Sequence, residues 1–359
     1  MVVSHTYVEP ENRGKLRALA TGGPVTAVIP ARWRQTSLGS DWRLDAPAID
    51  AGVQLLPVPW RGPAKPSFGA MRVPDEAVPA DAILQIEEEP WTPTAYFAVR
   101  RRLGAATVLF TWENVERRVP FPWSAMRRAV FRRIAGLIAG NRGAAEVARA
   151  QGYRGPIAVI PQLGIELPAE AARPHSDILR LAYVGRLVPE KGVDLLLQAA
   201  SILATPWRLT IVGDGPARPR LETVAATLGL GEQVRFLGAR PHHEVAALWP
   251  ETDALVLPSR STPRWKEQLG HVLLEAMAHG VATAGSTCGA IPEVIGNAGL
   301  IFAEGSAESL AQSLRMLALG PESLGRLGEA GRRRVADHFT NVRIAARTRK
   351  FHEEVLSTR

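Results

Sequence analysis

Cysteine is nearly absent: 359 residues carry one, Cys288. A lone thiol cannot close an internal disulfide, so nothing points to an oxidising compartment. No apolar run approaches the roughly 20 residues that a membrane-spanning helix needs. The opening "MVVSHTYVEP" has no charged segment followed by an apolar one, which argues against a signal peptide. A soluble cytoplasmic protein is the expectation. No Asp-x-Asp pair occurs, and the eight histidines show no metal-ligand spacing. No metal and no resident cofactor are therefore expected.

What is present is a globular composition, with 46% hydrophobic and 22% charged residues. The length exceeds one ordinary core and suits two domains. The net charge is +8, and it is unevenly placed. Between Arg100 and Arg154, twelve arginines face three acids, Glu113, Glu116 and Glu146. Such a field attracts an anionic partner, whether nucleic acid, a phosphorylated substrate or an acidic membrane. A solvated arginine-rich surface is the ordinary alternative. The sequence pI of about 10.2 would suit nucleic acid, but no recognition-helix motif is present, so a nucleic-acid partner is not expected.

The second half alternates apolar strands with amphipathic helices. "LRLAYVGRL" (179–187), "RLTIVGDG", "VRFLG", "DALVLPS", "VATAGS" and "GLIFAEG" read as strands. "GVDLLLQAASILA", "PRLETVAATLGL", "HHEVAALW" and "HVLLEAMAHG" read as helices, and "IPEVIG" as a helical turn. This rhythm builds βαβ units on a parallel sheet with both faces covered. Gly229, Gly231 and Gly280 stand where helix ends favour a left-handed residue. The first half repeats the pattern, with strands in "VTAVIPA", "AILQIEE", "ATVLFTWEN", "GLIAGN" and "IAVIP" and helices at 12–20, 92–103, 123–134 and 142–151.

The expected architecture is α/β, with two Rossmann-like doubly wound domains, 1–170 and 171–339, facing a central cleft. "GIELPAEAARPHSD" (164–177) is the linker, and a helix at about 340–359 packs back on the first domain. In open α/β sheets, ligands sit beyond the carboxyl ends of the strands.

Three stretches carry chemistry. In "VGRLVPEKG", Gly185 ends a strand and lets a ligand approach the backbone. Arg186 and Lys191 then offer a fork of donors and a compact charge suited to a diphosphate. A surface Arg and Lys on a loop is the alternative, and the strand–loop–helix context favours phosphate. "IVGDGP" lacks the spacing of a dinucleotide fingerprint and reads as a structural turn. In "KEQLGHVLLEAMAHG", Glu267 precedes a helix by three residues and is placed at a loop lip. The N–H groups of Gly270, His271 and Val272 can bind oxygens at the helix start. Glu275, one turn in, can take vicinal hydroxyls such as those of a ribose. Helix-start acids that favour the dipole explain Glu267 well, and Glu275, set among apolar residues, less well. His242 and His243 begin a helix and read as a solvated pair.

"YVGRLVPEKG", "IVGDGP", "VRFLG", "LVLPS", the glutamates of "EQLGHVLLEAMAHG" and "AIPEVIGNAGLIF" occur in order across 179–305. Together they resemble the C-terminal motifs of retaining, GT-B-fold, family 4 glycosyltransferases. The resemblance implies transfer of a hexose from a UDP- or GDP-linked sugar to a hydroxyl acceptor, saccharide or lipid-linked, in bacterial polysaccharide or glycolipid synthesis. It implies that Arg186 and Lys191 neutralise the donor diphosphate, that Glu267 contacts the transferred sugar and that Glu275 contacts the ribose. The backbone near Arg240 would hold the base, and Gly14 would stand where a glycine-rich loop approaches the phosphate. The sequence departs from the family pattern at three places. Arg13-Gly14 replaces a glycine pair, Ala282 stands where proline is common, and Glu113 and Asn114 occupy the place of a histidine. Those two become the sugar or acceptor contacts of the first domain.

An epimerase or phosphorylase on the same architecture is the alternative enzyme. "PWSAMRRAVFRRIAG" places Trp123, Met126, Val130 and Ile134 on one helical face and Arg128 and Arg132 opposite. The apolar face is expected to pack on the sheet. The arginines would then attract an anionic membrane surface weakly, which places the enzyme peripherally at the inner face of the membrane.

Overall fold

The computed structural model describes residues 1–35, 40–63, 65, 68–101, 104–170 and 176–358. Residues 171–175 of the expected linker lie outside the described residues, as do the last two positions of the helix expected at 92–103. The chain divides into two compact units, Met1–Gly164 with Asn341–Arg359, and Ile165–Thr340.

The first unit is built on an eight-stranded sheet. Its strands are β1 (Val2–Val3), β2 (Val25–Pro30), β3 (Ala48–Asp50), β4 (Val53–Val58), β5 (Ile83–Ile86), β6 (Ala106–Thr111), β7 (Gly136–Ala139) and β8 (Ile157–Val159). They lie in the order β8-β7-β6-β5-β1-β2-β4-β3. All neighbours are parallel except the β3–β4 hairpin at the edge. Strands β6 and β7 are buried at every position and apolar but for Thr107 and Thr111 of β6, as expected of strands covered on both faces. The two-residue β1 sits at the centre of the sheet and pairs with both β2 and β5. It is too short to show a period, and β4 carries Pro57, so neither is evident from local pattern.

Helices α1 (Gly14–Ala20), α2 (Pro93–Arg100), α3 (Trp123–Phe131) and α4 (Arg142–Ala150) cover this sheet. Two of them start on side-chain caps, Thr92 to the N–H of Ala95 and Asn141 to the N–H of Ala144. In α3 the sheet takes only part of the expected apolar face. Val130 is fully buried and Ile134 nearly so, whereas Trp123 and Met126 are half-buried.

The second unit has a six-stranded parallel sheet. Its strands are β9 (Leu179–Val184), β10 (Trp207–Val212), β11 (Val234–Gly238), β12 (Ala254–Leu257), β13 (Ala282–Ser286) and β14 (Leu300–Phe302). The order is β11-β10-β9-β12-β13-β14, so the winding reverses between β9 and β12. Helices α5 (Val193–Ser201), α6 (Arg218–Thr227), α7 (His242–Ala246), α8 (His271–Ala278), α9 (Ile291–Ile295), α10 (Ala307–Leu317) and α11 (Pro321–His338) complete it. Gly229 and Gly280 adopt left-handed backbone at φ 71° and 67°. Gly231 does not, because the left-handed residue after α6 is Gly229, so the expectation for Gly231 is corrected.

The last helix, α12 (Asn341–Ser357), returns to the first unit and lies along α1. Ile344, Phe351 and Val355 enter a core with Val108, Phe110 and Ile138. Gly14, expected in a glycine-rich loop, instead opens α1 in ordinary helical backbone, φ −52°. A Cβ there would lie 2.1 Å from Nδ2 of Asn341, so the site is filled by the start of α12. Gly14→Ala is therefore expected to destabilise the protein by about 1–3 kcal/mol through overpacking. Denaturant unfolding checks this, and wild-type stability in the variant would contradict the packing assignment.

Candidate functional site

In the second unit the reversal of strand order brings the ends of β9 and β12 together, the usual position of a ligand crevice in a doubly wound sheet. Beyond β9, the Tyr183 hydroxyl donates to the Arg186 carbonyl at 2.9 Å and fixes the loop. Arg186 itself is exposed. Gly185 packs on the neighbouring turn: a Cβ at Gly213 would fall 1.9 Å from the Gly185 carbonyl oxygen. The "IVGDGP" turn thus has a packing role.

Gly192 ends the loop at φ 67°, where a Cβ would meet the Pro258 carbonyl oxygen at 2.1 Å. Only glycine permits this approach. The approach carries Lys191 to the loop after β12, where Lys191 Nζ lies 2.6 Å from Glu267 Oε2. Ser259 Oγ donates to the same oxygen at 2.9 Å, and Lys191 Nζ stands 4.9 Å from the Trp265 ring centre. Glu267 is 7% exposed. This corrects its expected place at a loop lip: a carboxylate with a lysine and a buried hydroxyl as partners can leave water.

Gly270 caps α8 in left-handed backbone at φ 69°, and His271 and Val272 are the first helical residues. Glu275 lies one turn on, its side chain 13% exposed. His271 Nδ1 is 3.0 Å from Glu275 Oε1, and His242 Nδ1 is 3.9 Å from the same atom. His242 is exposed but faces this carboxylate, which corrects its reading as one of a simple solvated pair. Arg240, just before α7, is exposed and pairs with Glu244 at 3.1 Å.

The sheet of the first unit also reverses, between β1 and β5. Three acids follow β5. Glu87 is fully buried, with Lys15 Nζ 2.5 Å from Oε1. Tyr7 and Gln162 donate to its Oε2 at 2.5 and 2.9 Å. Glu88 Oε1 lies 2.6 Å from His5 Nδ1. Burial pushes the His5 imidazole down, but the charge and hydrogen bond of Glu88 outweigh it and its pKa rises. Glu89 accepts from the Thr111 hydroxyl and, at 2.9 Å, from the Trp112 N–H.

Glu113 and Asn114, expected as sugar or acceptor contacts, are both buried beside this cluster. Trp91 Nε1 donates to Glu113 at 3.2 Å, and burial raises the Glu113 pKa. Sequence reasoning missed His5, Lys15, Glu87, Glu88, Glu89 and Trp91. The available signal was "EEE" directly after an apolar strand, since three consecutive acids are unusual where a strand leaves the core. Among the described residues, no group of three His, Cys, Asp or Glu side chains is placed to hold a metal, and no helix is long and apolar enough to cross a membrane.

Two doubly wound, predominantly parallel sheets place the chain in the GT-B class of α/β folds. The fold is similar over 100% of the chain to sucrose-phosphate synthase from Thermosynechococcus elongatus, with TM-score 0.72, 18% identity and 99% of that chain covered. It is similar over 98% to Anabaena HepE in complex with UDP, with TM-score 0.70, 14% identity and 98% of that chain covered. Residues 170–334, a little under half of the chain, match the model of the family "Glycosyl transferases group 1". A curated relative is the 2-deoxystreptamine glucosyltransferase of Streptomyces kanamyceticus, 30% identical over 213 residues, or 56% of this chain and 54% of the relative. The chain thus spans about half the length of the curated relatives it matches.

The acidic cluster generates a pH prediction. Burial, with the nearby Glu113 charge, raises the Glu89 carboxyl from 4.5 to about 7. The fold therefore holds a proton that the unfolded chain releases near 4.5. The associated stability is fully present below that value and is lost as pH rises through about 7. Unfolding free energy is expected to fall by on the order of 2–3 kcal/mol from this group between about pH 5 and pH 8. Glu89→Gln, neutral at both, should flatten that slope. Urea titrations at the two pH values measure it, and an unchanged slope in the variant would contradict the assignment.

Proposed function

We propose that the chain is a retaining hexosyltransferase. It moves a hexose from a UDP- or GDP-linked donor to a hydroxyl acceptor, saccharide or lipid-linked, in bacterial polysaccharide or glycolipid synthesis. The observation that carries this reading is the Lys191–Glu267 pair at the strand reversal of a group 1 glycosyl transferase domain. The UDP complex of HepE, a fold neighbour, supports a nucleotide-linked donor.

In this reading Arg186 and Lys191 meet the donor diphosphate, and Glu267 meets the transferring sugar. Glu275 takes the ribose, and the N–H groups of Gly270, His271 and Val272 take phosphate or hydroxyl oxygens. Backbone near Arg240 borders the base. The bond from the sugar's anomeric carbon to the diphosphate oxygen breaks. The acceptor oxygen bonds to the same carbon on the same face, and the departing diphosphate takes the acceptor's hydroxyl proton. Charge develops on the diphosphate, where the two cations stabilise it without a metal. Glu113 and Asn114 serve the acceptor side. The site of action is cytoplasmic, peripheral at the inner membrane face.

Lys191→Ala and Arg186→Ala are each expected to cost on the order of 2–4 kcal/mol of transition-state stabilisation. Glu275→Ala should chiefly raise KM for the donor, because a ribose contact is made equally in ground and transition states. Glu267→Ala should chiefly lower kcat. Assays run in excess EDTA, with UDP- and GDP-sugars and anomeric analysis of the product, test all of this together. Near-normal turnover in either cation variant, inversion at the anomeric carbon, or activity restored only by magnesium would overturn the corresponding part.

The acceptor's membrane context has its own support. Phe121 is 80% and Phe68 is 55% exposed, with Phe68 edge-on to Trp123 at 5.6 Å. Arg117, Arg118, Arg128, Arg132 and Arg133 are exposed on the same stretch of chain. Each arginine near an anionic surface contributes roughly 1 kcal/mol, weakened by salt. Co-sedimentation with anionic vesicles is expected at low salt and is expected to fall as salt rises. Equal recovery with neutral vesicles would exclude the surface contact.

A further inference from the structure

Three of the chain's eight histidines converge on one residue, Glu275. His279 Nδ1 lies 2.8 Å from the Glu275 carbonyl oxygen and pins its backbone. His271, one helical turn earlier, holds Oε1 at 3.0 Å, and His242 approaches the same oxygen at 3.9 Å from α7. Oε2 has no side-chain partner among the described residues. The neighbours of Glu275 on α8 are apolar, Leu273, Leu274, Ala276 and Met277, all fully buried, so nothing else in the helix orients the carboxylate.

A carboxylate only accepts, so the Nδ1 of His271 carries a proton, and Nε2 is the ring's other nitrogen. That Nε2 is sealed from solvent and has no hydrogen-bond partner. An unpaired buried nitrogen is costly, and it is tolerated where the opposite nitrogen makes a needed contact. A glutamate has three rotatable bonds, and a free side chain loses that freedom on binding. Holding it beforehand removes the loss and strengthens recognition.

We propose that His271 is a positioning residue for the nucleoside. It locks Oε1 of Glu275, with His242 as a weaker second contact, so that Oε2 is presented to the two ribose hydroxyls and the site discriminates ribonucleotides from 2′-deoxyribonucleotides. The proposal rests on the nucleotide-sugar reading above and assigns to one side chain the selectivity of that site.

The experiment is calorimetric titration of the full chain with UDP and GDP, and with the 2′-deoxy form of whichever binds. Wild type should bind the ribonucleotide about 10-fold more tightly, the equivalent of one good hydrogen bond. His271→Leu should bind the ribonucleotide about 10-fold more weakly and leave the deoxy form nearly unchanged, so the preference collapses. His271→Asn places an amide N–H near the position of Nδ1 and should restore most of it, which loss of packing alone would not allow. His271→Gln serves as a second probe should the leucine variant fold poorly, and is expected to lose the preference because its donor is displaced from Nδ1. A wild-type preference retained in His271→Leu, or in His271→Gln where that probe is used, overturns the proposal. Failure of wild type to bind either diphosphate overturns the nucleotide-sugar reading itself, which separates the two.

Discussion

Glu267 is out of water, and its charge is tolerable only because Lys191 and Ser259 meet it there. Much of the second unit's reversal point follows from that need. Lys191 must arrive from the loop after β9, so the loop must end on a residue that can lie against Pro258, and Gly192 does so. The two loops are stitched again where the Arg260 N–H donates to the Glu190 carbonyl at 2.8 Å. Removing the lysine would strand a carboxylate, whereas a diphosphate would offer the same ammonium a second anion. A pair of this kind keeps the loop ordered and, in the proposed reading, leaves its cation one exchange away from the donor diphosphate.

The first unit solves a similar problem with more partners. Glu87 is met by Lys15, Tyr7, Gln85 and Gln162, drawn from α1, the N-terminal turn, β5 and the segment after β8. His352 of α12 joins through Gln85 at 2.6 Å, and burial pushes its pKa down to about 4, so it stays neutral. A fully connected polar network of this sort rigidifies its elements, because each group left unpaired would be costly in a low-dielectric interior. The neighbouring Glu89 and Glu113 show the converse, in that burial raises both carboxyls toward neutrality and, for Glu89, the charges of Glu113 and Glu88 add to it.

The second unit was the more legible in sequence. Its strands are apolar runs punctuated by glycines, and Gly185, Gly192, Gly270 and Gly280 mark real changes of direction. Each motif there is local, so spacing alone put Lys191 in a strand–helix loop and Glu267 just ahead of a helix, although their contact with each other spans 76 positions and was not evident. The first unit hid its centre because its polar partners sit in no local motif and meet only in the fold: Tyr7 meets Glu87 across 80 positions and Lys15 across 72. No periodicity reports such contacts. The same holds for His242, which reaches Glu275 from another element, and for Gly14, whose neighbour Asn341 lies at the far end of the chain. Burial of Glu267 was equally invisible, since a glutamate in a polar stretch ordinarily faces solvent.

The return of α12 to the first unit has a consequence in time. Residues 165–340 form an uninterrupted unit that can fold as it is synthesised, but the first unit must wait. Until residues beyond 340 are made, Phe351 and Val355 cannot cover Val108, Phe110 and Ile138, and the Gln85 amide lacks His352. Of the two units, the one whose synthesis starts earlier is therefore the one completed later. For most of translation it exposes an apolar sheet face that, in a crowded cell, has to be shielded from other chains until the final helix closes it.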